Sequence, residues 1–179
     1  MGYPADLLST RAVVKPGLFA VIPKDGLVNN VLPFLTGCRT SIVASPKMGA
    51  SFVQYVSYVE PKGGTNAPFA NAEKEESFIY VISGKIDAET EGKTYHLTDG
   101  GYLYAAPGKG ICFTNVGDAE AKILLYKQLY IPYEGKQPYA YSGNVNEIAY
   151  SDYDGMANVH IKDLLPVDQN FDMNMHILF

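Results

Sequence analysis

The stretch Gly101 to Asn115, GYLYAAPGKGICFTN, holds two short apolar runs, Tyr102 to Ala106 and Ile111 to Phe113, joined by the break Pro107-Gly108-Lys109-Gly110. Runs this short, bounded by Gly and Pro and rich in aromatic residues, predict strands rather than helices. The pattern repeats outward from there. Phe78-Ile79-Tyr80-Val81-Ile82 ends at Ser83-Gly84, and Lys85 to Thr90 and Lys93 to Leu97 flank Glu91-Gly92, a hairpin signal. Thr98-Asp99-Gly100-Gly101 reads as a further turn, and Lys122 to Tyr130 follows Gly117-Asp118. Upstream, Ser51 to Glu60 (SFVQYVSYVE) is rich in β-formers, and Ser41 to Ala44 is another short apolar run. Many short strands at close spacing, with no amphipathic helix among them, predict an all-β barrel or sandwich.

From Ile131 to about Asn170 the texture changes. Pro132, Gly135, Pro138, Gly143 and Gly155 interrupt it, and it reads as an ordered connector in which Leu164-Leu165-Pro166 ends a helical turn. Phe171 to Phe179 (FDMNMHILF) then alternates as a new strand. The net charge of −5 disfavours nucleic acid as a partner, and no apolar run is long enough to span a bilayer. The N-terminus lacks the basic and apolar regions of a secretory signal. Cys38 and Cys112 stand in no metal-binding spacing and read as reduced, buried thiols, so the expected setting is the cytoplasm.

The turn pattern can be laid on the two motifs of the cupin superfamily, all-β barrels of double-stranded β-helix, jelly-roll-like form. Gly101, five residues, Pro107, a glycine turn and Asn115 follow the second motif, but Ile111 stands where that motif has a metal-binding His; anchoring on Pro107 puts Cys112 there instead. In the first motif Ser77 lies seven residues before Gly84, at the Glu position, and Glu76 is one place off, which in a strand turns it to the other face. The motif's paired His positions fall near Asn71 and Glu73. A cupin centre gathers imidazole and carboxylate around a divalent metal. Ser77, Ile111, Asn71 and Glu73 are therefore expected to occupy barrel-interior positions without holding one, and Ser77, Ile79, Val81, Ile111 and Phe113 form the inward set by period-2 alternation. No catalytic residue stands out. His96 and His160 read as surface histidines. Tyr80, Tyr102 and Tyr104, with His176, are the candidates for a pocket, against sheet-face packing as the plainer alternative.

Several segments together are more specific than the generic motifs: Ser9 to Lys15 (STRAVVK), Asp25 to Val28, Ser45 to Val53 (SPKMGASFV), Tyr80 to Gly84, Glu91 to Thr94, Gly100 to Tyr104, Leu125 to Lys127 and Phe171 to Leu178. With them the chain resembles the (S)-ureidoglycine aminohydrolases of purine and allantoin breakdown, a bicupin family. The resemblance implies hydrolysis of ureidoglycine to ureidoglycolate with release of ammonia, a small-molecule substrate, and manganese held in a C-terminal cupin by ligands that have no matching positions here. It also implies a division into an N-terminal segment packing on the barrel (1–60), a metal-free barrel core (61–130), a connector (131–170) and the opening strand of a truncated second cupin (171–179). Two readings stay open: a portion of such an enzyme, inactive alone, or a non-catalytic cupin module for structure, oligomerisation or small-molecule binding. A homo-oligomer is expected in either case.

Overall fold

The computed structural model describes residues 11–179. Ser9 and Thr10, which begin the first family-like segment, lie outside the described residues. A small exposed hairpin, β1 (Val13–Lys15) with β2 (Phe19–Val21), precedes the main sheet. The main sheet is built from β3 (Leu35–Ala44), β4 (Phe52–Thr65), β5 (Glu75–Ser83), β6 (Ile86–Thr90), β7 (Lys93–Leu97), β8 (Gly101–Ala105), β9 (Cys112–Asn115), β10 (Ala121–Leu129) and β11 (Tyr141–Asn144). It runs in the order β11-β8-β5-β10-β4-β9-β6-β7, with β3 pairing β4 as well, and all its pairings are antiparallel. The sheet curls into a nearly closed barrel. The long β4 starts before position 60 and ends after it, so one strand crosses the boundary expected at 60/61 and belongs to the barrel along its whole length.

Local chemistry explains the elements. Glu91 (φ 52°) and Gly92 (φ 72°) both take the left-handed conformation, the requirement of a two-residue type I′ hairpin, and join β6 to β7 as the sequence predicts. The seam between the two halves of the barrel lies where Gly64 of β4 faces Thr114 of β9. A Cβ on Gly64 would sit 2.0 Å from the Phe113 carbonyl oxygen, so only glycine lets the two backbones approach this closely. Thr65 reinforces the seam: its Oγ1 accepts from the Phe113 N–H at 2.9 Å. The buried Asn115 side chain donates to the Val59 and Ala119 carbonyls, each at 2.8 Å, and accepts from the Gly117 N–H at 2.9 Å. These bonds anchor the turn that leads into β10.

The main sheet is buried on both faces over part of its area. Inside lie Tyr55, Val59, Ile79, Val81, Ile86, Leu103, Ile111, Phe113, Ile123 and Leu125. Outside, Phe78, Tyr102, Tyr104 and Ala106 are covered by Val145, Leu164, Leu165 and Met173 from the later chain. That later chain contains more strand than its interrupted sequence suggests. β12 (Ser151–Tyr153), β13 (Met156–Asp163) and β14 (His176–Leu178) form a separate three-stranded sheet. Leu164 and Leu165 make no helical turn; they are irregular and buried in the outer layer, where apolar burial outweighs any local preference. The strand expected over 171–179 hydrogen-bonds as a ladder only at His176–Leu178. Its alternation is real all the same, because Phe171, Met173, Met175 and Ile177 are turned toward the barrel.

Candidate functional site

The interior of a cupin barrel is where its metal would bind, so the residues there were the first candidates. Ser77 and Ile111 are fully buried. Ile111 lies in the apolar interior, its backbone exchanging hydrogen bonds with Phe69 at 2.9 and 3.0 Å. Ser77 Oγ has no hydrogen-bond partner. Asn71 and Glu73 are not interior residues: both are exposed, in the loop before β5. Spacing counted from Gly84 assumed extended backbone, but the chain there makes a turn, with the Glu75 N–H bonded to the Ala72 carbonyl at 2.8 Å. Among the described residues no three His, Cys, Asp or Glu side chains come together as a metal site would need. One hydroxyl set among Ile79, Val81, Ile111 and Phe113 does not fit a divalent cation.

The histidines lie elsewhere. His96 and Asp87 pair at 2.7 Å on the barrel surface, and His160 and Asp152 at 3.1 Å on the small sheet. Both cysteines are free and only half-buried, and burial pushes the Cys38 thiol up.

The tyrosine candidates sit on the outer face of the wall. Tyr102 stacks on Phe78 with ring centroids 5.6 Å apart, and burial pushes its phenol up to about 12. Tyr80, half-buried, shares with His176, Tyr126, Met175 and Ile177 a shallow open groove of about 90 Å³. Tyr102 and Tyr104 do not line it, so the four candidates form no single pocket.

Tyr104 belongs instead to a buried polar cluster. Glu76, fully buried, accepts from Tyr104 Oη at 2.5 Å through Oε2 and from Gln128 Nε2 at 2.6 Å through Oε1. The same Gln128 amide lies 3.4 Å from Asp172 Oδ2, which also accepts from the Ile131 N–H at 3.1 Å. Burial raises the Glu76 carboxyl above its ordinary range, two hydrogen bonds oppose this, and the charge of Asp172 adds to it. Burial first, then the facing Glu76, push the Tyr104 phenol up as well. The sequence did turn Glu76 to the face opposite Ser77. It gave no sign that this face is covered, because the cover comes from residues about 70 to 100 positions later.

Comparison with known proteins gives consistent matches. The family described as "Cupin domain" matches residues 57–126. The (S)-ureidoglycine aminohydrolase of Escherichia coli K12 is 47% identical over 177 residues, covering 99% of this chain and 67% of its own length. A crystal structure of the E. coli protein YlbA superposes with a TM-score of 0.86 at 44% identity, covering 98% of this chain and 69% of that one. A glyoxylate-induced protein from Pseudomonas aeruginosa shares the fold with a TM-score of 0.82 at 24% identity, covering 99% of this chain and 67% of that one.

Proposed function

The chain belongs to the (S)-ureidoglycine aminohydrolase family, and from that premise we propose that it serves as the metal-free cupin scaffold of an enzyme hydrolysing ureidoglycine to ureidoglycolate and ammonia. The observation that carries this reading is the apolar filling of the barrel: Ile79, Val81, Ile111 and Phe113 are buried in its inner core, and none of them can ligate a metal. Identity to the E. coli relative runs through nearly all of this chain, while about a third of that relative's length has no counterpart here. The metal-bearing part of such an enzyme, with manganese as the expected ion, would belong to that remaining third. The role left to this chain is to fold, to present its outer face and to carry the Phe171–Leu178 segment.

The test compares the 179-residue chain with the same chain continued by the remaining C-terminal third of the E. coli relative. Both receive ureidoglycine and manganese, and ammonia is measured against an enzyme-free control. Release by the continued chain alone, with no manganese binding by the 179-residue chain in a calorimetric titration, is the expected result. Turnover by the short chain would refute the scaffold role, and inactivity of a folded continued chain would refute the assigned reaction.

The reading extends to a homo-oligomer in the cytoplasm. Exposed Val13, Phe19 and Val21 on the β1–β2 hairpin offer apolar surface for self-association, and half-buried free thiols suit a reducing compartment. Sedimentation showing only monomer would remove the oligomer. A stand-alone binding module is less favoured, since the groove beside Tyr80 is shallow and open.

A further inference from the structure

Two carboxylates from distant parts of the sequence meet at one side-chain amide. Glu76 is on β5, Gln128 at the end of β10, and Asp172 in the segment that returns to the barrel before β14. The segment is held on both sides of Asp172. Phe171 packs edge-on against Tyr104 at 5.1 Å, and Met173 is buried in the outer layer. The ionisable groups facing Glu76 are Tyr104 from β8, Tyr130 just beyond β10 and Asp172 from the returning segment. The nearby cation, Lys127, is engaged at 2.9 Å by Glu75, and period-2 alternation turns both toward the other face of the wall. No described cation therefore offsets the two carboxylates.

We propose that Glu76, Gln128 and Asp172 form a proton-operated clasp that fastens residues 170–173 to the outer wall of the barrel. With a proton from solvent on Glu76 Oε2, that O–H donates to Tyr104 Oη, Oε1 still accepts from the Gln128 amide, Glu76 adds no charge beside Asp172, and the segment is closed. With the proton lost, the buried Glu76 carboxylate faces Asp172 across the Gln128 amide with no cation between them, and the segment loosens.

The direction of the effect follows from linkage. The closed form binds the Glu76 proton more tightly than the open form, so closure is favoured at low pH and weakens as pH rises through the raised Glu76 value. One proton changes the open-to-closed ratio by at most about tenfold per pH unit within that window.

The experiment is hydrogen exchange with mass-spectrometric readout on the full 179-residue chain from pH 4.5 to 8.5, corrected for intrinsic exchange. Peptides covering 168–175 should lose protection by up to about tenfold per unit across the window and then level off, while peptides from the wall strands do not change. Glu76→Gln keeps the shape, can accept from Gln128 through its oxygen and donate to Tyr104 Oη through its NH2, cannot ionise, and should flatten the profile. Asp172→Asn, at an exposed position outside the core, removes the second charge, so the Glu76 value is raised less, and the loss of protection should be smaller and level off at lower pH. A flat wild-type profile, an unchanged slope in Glu76→Gln, or an Asp172→Asn profile matching wild type would each overturn the proposal. Should Glu76→Gln fail to fold, the Asp172→Asn comparison decides alone.

Discussion

Gly64→Ala tests whether the barrel is closed where β4 meets β9. The added methyl would lie 2.0 Å from the Phe113 carbonyl oxygen and 2.9 Å from the Thr114 Cα, and both are backbone atoms. Relief has to come from moving β9 away by an ångström or more. Forcing an extra methyl into a packed site costs about 1–3 kcal/mol. The retreat also weakens the 2.9 Å bond from the Phe113 N–H to Thr65, worth about 1 kcal/mol. A total of about 3 kcal/mol corresponds to a fall in Tm of about 6–12 °C for a domain of this size. The control is Gly92→Ala, where φ is +72° and nothing lies within 4 Å of the added methyl. That change brings only the backbone cost of about 1 kcal/mol, or about 2–4 °C. Thermal unfolding followed by circular dichroism on both variants separates clash from strain. If Gly64→Ala falls no further than Gly92→Ala, the two halves of the sheet are not joined at Gly64 and Thr114.

Tyr104→Phe keeps the ring against Phe171 but removes a donor from the buried Glu76, and should cost about 1.5–3 kcal/mol in urea unfolding at neutral pH. A loss near zero would mean that the hydroxyl contributes nothing to holding Glu76. Asn115→Ala deletes three hydrogen bonds from a fully buried side chain and leaves the Val59 carbonyl without that donor. A destabilisation of about 3 kcal/mol is expected by the same measurement, and one below about 1 kcal/mol would contradict the described network.

The strand pattern was legible wherever a local rule was enough. The Glu91-Gly92 turn needs only two residues that tolerate positive φ, and both adopt it. The inward set Ile79, Val81, Ile111 and Phe113 needs only alternation along two strands, and all four lie in the inner core. Legibility ended where a residue's fate depends on distant chain. Motif spacing places Asn71 and Glu73 on extended backbone, but the turn at Ala72–Glu75 carries them out to solvent. β12 and β13 were missed inside the connector because they are short or exposed and joined by Asp154-Gly155, so alternation against a core is weak there. Glu76 is the sharpest instance. It ends the acidic run Glu73-Lys74-Glu75-Glu76, which reads as a solvated loop, yet it is fully buried, because Tyr104, Gln128 and Asp172 lie 28, 52 and 96 positions away and contacts over such distances leave no local trace.

The double covering of β8 has a consequence for how the protein tolerates change. On β6, Ile86, Ala88 and Thr90 are buried while Asp87 and Glu89 reach solvent, so every second residue has an aqueous side. All five residues of Gly101–Ala105 are buried, with Leu103 facing inward and Tyr102 and Tyr104 facing outward. No rotation or rotamer there delivers a lysine or glutamate head group to water, and an unpaired charge in such a place costs several kcal/mol. Random mutation is therefore least forgiven in the outer wall of this protein, along a strand that an ordinary one-sided sheet would have left half open to variation.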